Sequence, residues 1–223
     1  MTVLGHVADQ LGYPSRPLLV AIDGPDGAGK TWFADALARL LIERSYDVVR
    51  ASVDDFHHPR AFRHGAGRTA ETVWERSYDY RALRTELLDP WLTGPGSAFR
   101  HRFHDLDGDG YFDDPAQQVP ERGVLVLDGV FAQRRELSNA WDFVVYLDVP
   151  ESETVSRMAN RDGVPDDPAH PDQARYLGAQ RLYRAHVDPV RYADVVIDNS
   201  DFHAPKLIGA TASMCPTCGH VTS

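Results

Sequence analysis

Eight consecutive residues, Gly24-Pro25-Asp26-Gly27-Ala28-Gly29-Lys30-Thr31, carry the most specific chemistry in the chain. They match the pattern G-x-x-x-x-G-K-[ST], in which each residue type has a physical task. The glycines let the backbone turn with positive φ and approach an anion without a Cβ in the way. A helix starting here points its free N–H groups and partial positive charge at the same anion. Lys30 would then contact the β- and γ-phosphates, and Thr31 would offer its hydroxyl to Mg²⁺. The expected nucleotide contacts are therefore Gly24, Asp26, Gly27, Ala28, Gly29, Lys30 and Thr31, with ATP or GTP as the ligand.

Two acidic positions belong with this loop. Val124-Leu125-Val126-Leu127 is an apolar run that ends in Asp128, an acid placed to help hold Mg²⁺. Val53-Asp54-Asp55-Phe56-His57 puts a pair of acids at the end of another run. A carboxylate there can sit beside the γ-phosphate and accept the proton of an attacking hydroxyl. Because the transition state is loose, the base need only take that proton as bonding develops. Neighbours on a strand face opposite ways, so only one of Asp54 and Asp55 can serve if the strand reaches them.

These residues need a scaffold, and the chain supplies one. Leu18-Leu19-Val20-Ala21-Ile22 is a continuous apolar run of strand length, as expected of a strand buried on both faces. After the loop, Phe33, Leu37, Leu40 and Leu41 fall at helical spacing. Further strand-like runs cover Val48–Val53, Val124–Leu127, Phe143–Leu147 and Ala193–Ile197, with helical stretches at Ser152–Arg161 and Gln173–His186. Strands alternating with helices predict an α/β fold: a five-stranded parallel sheet with helices on both faces. Ligands bind at the carboxyl ends of such strands, where Asp23, Asp54, Asp128 and Asp148 stand. The Arg-, His-, Gly- and Pro-rich stretch 59–120 reads as a cap or lid insertion on that edge. Residues 1–200 form one domain, and 201–223 read as a tail.

Composition narrows the class. The 223 residues carry 23 Lys and Arg against 33 Asp and Glu, a net charge of −10, with 43% apolar residues. That charge argues against nucleic-acid binding, which needs clustered cations. The longest apolar run, Pro17–Ile22, falls far short of the roughly 18 residues of a membrane span. The first residues lack a basic or long apolar region, so no secretory leader is expected. These features predict a cytoplasmic protein with a small-molecule ligand and leave a homo-oligomer open. Two cysteines, Cys215 and Cys218, cannot form a disulfide framework.

With these residues in place, the sequence resembles the uridine kinases (uridine–cytidine kinases) and their P-loop small-molecule kinase relatives over residues 17 to 200. The family's motif after its second strand, Asp followed by any residue and Phe, matches Asp54-Asp55-Phe56. The resemblance therefore implies Asp54 as catalytic base, and Thr31, Asp128 and Asp54 as the residues at the metal. Asp128 lies in Leu127-Asp128-Gly129-Val130-Phe131, where the family has Glu. Phe143–Pro150, then Arg157 and Arg161-Asp162, look like the fourth strand and lid helix, whose arginines meet the transferring phosphoryl group in the family. Tyr192–Ile197 is similar to its last strand. Ser77-Tyr78-Asp79-Tyr80 partly resembles a region in which an Asp contacts ribose hydroxyls, so Tyr78 and Asp79 are expected at the substrate. The family's base-reading segment is replaced by Phe99-Arg100-His101-Arg102-Phe103-His104-Asp105, which leaves Arg102 and His104 as candidate substrate contacts.

Other signals are weaker. Asp105-Leu106-Asp107-Gly108-Asp109-Gly110 opens like a calcium loop, but its twelfth position is Ala116 and not the required Glu. A tight Asp-Gly turn explains it better. Cys215-Pro216-Thr217-Cys218-Gly219-His220 is half a zinc site without a second cysteine pair. The resemblance implies transfer of a γ-phosphate to the 5′-hydroxyl of a nucleoside such as uridine or cytidine. The same architecture also suits another small alcohol: pantothenate, a pentose phosphate or a nucleoside-like metabolite. A GTP-dependent switch is the remaining class, and the chain lacks the Asn-Lys-x-Asp guanine motif.

Overall fold

The computed structural model describes residues 2–210. Helix α1 (Val3–Leu11), not foreseen from the sequence, precedes β1 (Leu18–Asp23), and the phosphate loop leads from β1 into α2 (Lys30–Glu43). Strand β2 (Asp47–Ser52) ends in a 3₁₀ turn over Val53–Asp55. Next come α3 (Arg60–His64), α4 (Ala70–Arg76) and a continuous helical run: α5 (Tyr80–Ala82), a π-helical stretch Leu83–Leu88, and α6 (Asp89–Thr93). Two small antiparallel ribbons pair β3 (Ala98–Phe99) with β6 (Gln117–Gln118), and β4 (His104–Asp105) with β5 (Gly110–Tyr111). Strands β7 (Gly123–Asp128) and β8 (Phe143–Asp148) return to the main sheet, followed by α7 (Glu151–Asp162), α8 (Pro171–Val187), α9 (Pro189–Tyr192), β9 (Val195–Asp198) and β10 (Lys206–Ala210).

The main sheet runs β10-β9-β8-β1-β7-β2. Its five apolar strands are parallel, as the sequence predicts, and β1 lies at the centre between β7 and β8. A sixth strand, β10, joins antiparallel to β9 from the stretch expected to be tail. It covers an edge whose N–H and C=O groups would otherwise lack partners. No helix among the described residues is long and apolar enough to cross a membrane.

Alternation along the strands sorts two cores. Val20, Ile22, Val124, Val126, Val145 and Leu147 face α1 and α2, packing on Val7, Phe33, Leu37 and Leu41. Leu19, Ala21, Leu125, Leu127, Val144 and Tyr146 face the other way, toward Leu83, Leu87, Leu88, Trp91, Ala179 and Tyr183. Strands covered on both faces have no polar side, which is why they read as unbroken apolar runs. The run from Tyr80 to Thr93, inside the stretch expected to be a cap, buries Leu83, Leu87, Leu88 and Trp91 in this second core, and α4 adds Val73 to it.

The cap is fastened to α8. Gly178 faces α4 so closely that a Cβ there would lie 2.6 Å from the Ala70 Cβ. A capping box between Thr69 and Thr72 fixes the start of α4. Because Leu37 is fully buried in the α2 core, Leu37→Ala should lower unfolding free energy by about 2–5 kcal/mol in urea titrations. A loss under 1 kcal/mol would mean that this face of the sheet is loosely packed.

Candidate active site

The carboxyl ends of the parallel strands open onto one cavity of about 810 Å³. Asp26, Gly27, Gly29, Lys30, Thr31, Asp54, Asp128, Arg157 and Arg161 all line it, so three strand ends, the phosphate loop and α7 converge there. Gly29 caps α2 with φ 84° and ψ 24°, and no side chain caps the helix. The free N–H groups of α2 are left for an anion. A Cβ on Gly29 would also fall 2.3 Å from the Phe202 ring, so glycine is needed both for conformation and for space.

Lys30 is buried and its Nζ donates to the Pro25 carbonyl at 2.8 Å, which folds the ammonium back over its own loop. Asp26 accepts from the Gly27 N–H at 3.0 Å and from Arg161 Nη1 at 3.0 Å. Burial works against its charge, but Lys30 and Arg161 outweigh that and hold its carboxyl below the ordinary range.

Thr31 Oγ1 donates to Asp128 Oδ2 at 2.7 Å. The other Asp128 oxygen accepts from Arg50 Nη2 at 2.8 Å, and Arg50 is itself anchored by Asp35 of α2. Arg50 was not singled out in the sequence. Its signal, a cation in the middle of an otherwise apolar strand, was present. A hydroxyl and a carboxylate oxygen facing the cavity suit Mg²⁺, a hard cation that takes few protein ligands and fills its shell with phosphate oxygens and water. Among the described residues no cluster of three or more His, Cys, Asp or Glu side chains forms a metal cage.

The strand does not reach Asp54 and Asp55; the 3₁₀ turn separates them instead. Asp54 lines the cavity, is exposed, and accepts a hydrogen bond from the Tyr78 hydroxyl at 3.0 Å. Asp55 is absent from the lining. Burial first, then the charges of Asp54 and Asp128, push the Asp55 carboxyl up to about 6, against the pull of Arg102 and Arg50. His57 also lines the cavity, its Nδ1 2.7 Å from the Asp54 carbonyl.

Arg157 and Arg161 lie on the cavity face of α7. Arg157 donates to the carbonyls of Gly27, Asn199 and Ser200 and stacks 3.7 Å over the Phe202 ring. Arg161 pairs with Asp26 and Asp162. Both are engaged with protein groups, and neither face is simply solvated.

The expected substrate contacts divide. Tyr78 lines the cavity. Asp79 does not: it caps the next helix by accepting the Ala82 N–H at 2.9 Å. Arg102 forms an ion pair with Asp114 and stacks over Phe112, also outside the cavity. His104 is fully buried under the cap, edge-on to Tyr111. None of these three side chains lines the cavity; a helix amide holds Asp79 and Asp114 holds Arg102, while neither ring nitrogen of His104 is hydrogen-bonded. The Asp105–Gly110 stretch is a hairpin turn in which Asp105 accepts the Asp107 and Gly108 N–H groups. Cys215, Cys218 and His220 lie outside the described residues.

Sequence reasoning also missed an aromatic pair: exposed Trp32 and half-buried Phe202 flank the phosphate loop with centroids 6.5 Å apart. Trp32 was readable as a large aromatic directly after Lys30-Thr31. Asp23, expected at a strand end, is fully buried and accepts from the Gly24 N–H, Gln133 Nε2 at 2.9 Å and the Tyr183 hydroxyl.

No protein-family model matches the chain, and no curated protein is significantly similar to it. Solved structures are similar. A possible uridine kinase from Bacillus stearothermophilus aligns at TM-score 0.69 and 25% identity, over 86% of this chain and 96% of that one. D-glycerate 3-kinase from Cryptococcus neoformans aligns at TM-score 0.56 and 12% identity, over 92% and 97% of the two chains. Phosphoribulokinase from Rhodobacter spheroides aligns at TM-score 0.54 and 11% identity, over 82% of this chain and 70% of that one. The chain thus has the α/β fold of the P-loop kinases.

The Asp55 carboxyl holds its proton more tightly in the folded state than at its ordinary value of 3.8. Its contribution to stability is therefore full below about pH 4 and is lost as pH rises through about 6. Asp55→Asn should flatten this fall and raise stability at pH 7 by roughly 1 kcal/mol, after allowance for solvent screening. Parallel pH-stability curves for the two proteins would remove the case for a strained Asp55.

Proposed function

We propose that this protein is a Mg²⁺-dependent kinase that transfers the γ-phosphoryl group of ATP or GTP to a hydroxyl of a small alcohol. The observation that carries the reading is the convergence of Lys30, Thr31, Asp128 and Asp54 on one cavity. The similar structures are named as kinases, among them a possible uridine kinase, a D-glycerate 3-kinase and a phosphoribulokinase.

In this reading the phosphates lie along the loop, and Lys30 exchanges the Pro25 carbonyl for phosphate oxygens. When bound, Mg²⁺ would neutralise charge on the β- and γ-oxygens, with Thr31 and Asp128 as its protein ligands. Asp54 accepts the acceptor's hydroxyl proton as the new O–P bond forms and the bond to the β-phosphate oxygen breaks. Tyr78 donates to one Asp54 oxygen and so turns the other toward the acceptor. Arg161 and Arg157 add positive charge beside the transferring group. The Trp32 and Phe202 rings offer apolar faces beside the loop to the nucleotide base.

Two acceptor classes fit this chemistry: the 5′-hydroxyl of a nucleoside such as uridine or cytidine, and the hydroxyl of another small alcohol. The second is favoured because Asp79, Arg102 and His104, the side chains expected at a nucleoside, all lie outside the cavity lining.

Lys30→Ala should cut kcat/KM at least 10³-fold, roughly 4 kcal/mol of transition-state stabilisation. Asp54→Asn should lower kcat by about 10²–10⁴-fold with nucleotide affinity within threefold, while Asp55→Asn keeps most of its turnover. ADP release and product mass across nucleosides, pantothenate and pentose phosphates provide the measurement. Wild-type turnover in Lys30→Ala would end the assignment of Lys30 and its loop to the transferred phosphates. The Asp54→Asn phenotype appearing in Asp55→Asn would move the base to Asp55.

A further inference from the structure

A second cleft, about 40 Å³ in volume, adjoins the main cavity between the cap and α8. The two share His57, Val73, Tyr78 and Tyr176 as walls, so they are immediate neighbours. The remaining cleft wall is cationic: Arg63 and His64 at the end of α3, Arg68 in the turn after it, and Arg175 in α8. No carboxylate lines it. In a chain with a net charge of −10, that local excess of positive charge needs a reason.

The protein's own acids neutralise these cations only in part. Asp172, outside the cleft lining, pairs with Arg68 at 2.9 Å and stands 3.6 Å from Arg175. Arg175 also donates to the Tyr176 hydroxyl at 3.2 Å, and its Nε is buried without a partner. Arg63 gives its Nε to the His58 carbonyl at 2.7 Å, and Asp109 is the acid whose charge reaches it from a distance. Burial, then Arg63, Arg68, Arg175 and Arg60, holds the His64 imidazole below its ordinary pKa. Several guanidinium groups therefore act on the same small volume.

Size and chemistry then select the occupant. A space of about 40 Å³ has room for about three water-sized atoms, enough for the two oxygens of a carboxylate or the three terminal oxygens of a phosphate monoester. Guanidinium forks match such oxyanions with paired N–H donors. A neutral acceptor would leave the cations facing one another with nothing between them, a site built against such a molecule.

Building on the kinase reading above, we propose that the acceptor alcohol carries an oxyanion, a carboxylate or phosphate, that seats in the cleft of Arg63, Arg68 and Arg175 while its hydroxyl meets Asp54. The anionic end then fixes the register of the hydroxyl against the base. Charge complementarity selects the acceptor instead of contacts to a nucleobase.

Steady-state assays with Mg²⁺-ATP on paired acceptors test this: ribose and ribose 5-phosphate, glycerol and D-glycerate, with uridine and pantothenate beside them. Turnover should favour the anionic member of a pair by at least 10²-fold in kcat/KM. Arg175→Gln and Arg63→Gln should raise the KM of that acceptor 10- to 100-fold and leave the KM for ATP within threefold, and Arg175→Lys should restore part of the loss. Equal or better turnover of the neutral member overturns the proposal. So does a rise in the KM for ATP alone, which would give the cleft to the donor's phosphates.

Should no acceptor turn over, inorganic phosphate serves as probe, with the phosphate loop saturated by a non-hydrolysable ATP analogue. Phosphate should raise the Tm of the wild type and not that of Arg175→Gln, and equal shifts in the two overturn the proposal. Failure of the kinase reading itself appears separately, as a wild type that binds no Mg²⁺-ATP.

Discussion

The Asp23 carboxylate lies fully buried where β1 turns into the phosphate loop, and the active end of the sheet is arranged around satisfying it. A buried, unpartnered carboxylate costs several kcal/mol, so each donor that reaches it is held firmly. The Gly24 N–H fixes the first turn of the loop. Gln133 ties in the segment after β7 and also bonds the Pro189 carbonyl. Tyr183 binds α8 to the same point and accepts the Gln133 N–H at 3.1 Å. One acid thereby sets the loop, the β7 turn and the lid-side helix in a common frame. Burial pushes its pKa up while the three hydrogen bonds resist.

The same logic of shared partners governs the working charges. Asp128 is divided between the Thr31 hydroxyl and Arg50, and Asp26 between the Gly27 N–H and Arg161. Lys30 rests on a backbone carbonyl of its own loop. Each group is pre-oriented by a partner that a stronger ligand can displace, so little reorganisation is needed when charge arrives. Arg157 differs. Its bonds to Gly27, Asn199 and Ser200 tie the loop to the segment after β9, which makes it a strut as well as a charge.

The scaffold was legible because its signals are local. Five buried strands and the helices Glu151–Asp162 and Pro171–Val187 lie within two residues of the boundaries read from apolar runs. The phosphate loop, Asp54 and Asp128 were legible because short motifs specify them. The positions of Asp79, Arg102 and His104 outside the cavity lining could not be read from sequence, because they depend on tertiary surroundings. Asp114 pairs with Arg102, the amide of Ala82 bonds Asp79, and His104 is fully buried. The arginine cleft was invisible for a related reason. Arg63 and Arg175 stand more than a hundred positions apart and meet only when α4 packs on α8 at Gly178. The edge strand β10 carries a weak signal, since Leu207 and Ile208 are its only large apolar residues and it needs β9 for a partner.

Eight adjacent residues encode the phosphate loop, yet distant groups give it shape. Asp23 waits for Gln133, 110 positions on, and for Tyr183, 160 positions on. The Ala28 carbonyl receives Asn199 from 171 positions away. During synthesis the loop therefore emerges long before the groups that hydrogen-bond it. Contacts of such sequence separation also make folding slow. Nucleotide affinity in this architecture is a property of the finished sheet, and a nucleotide that binds only the finished sheet draws every late-arriving segment toward the native state.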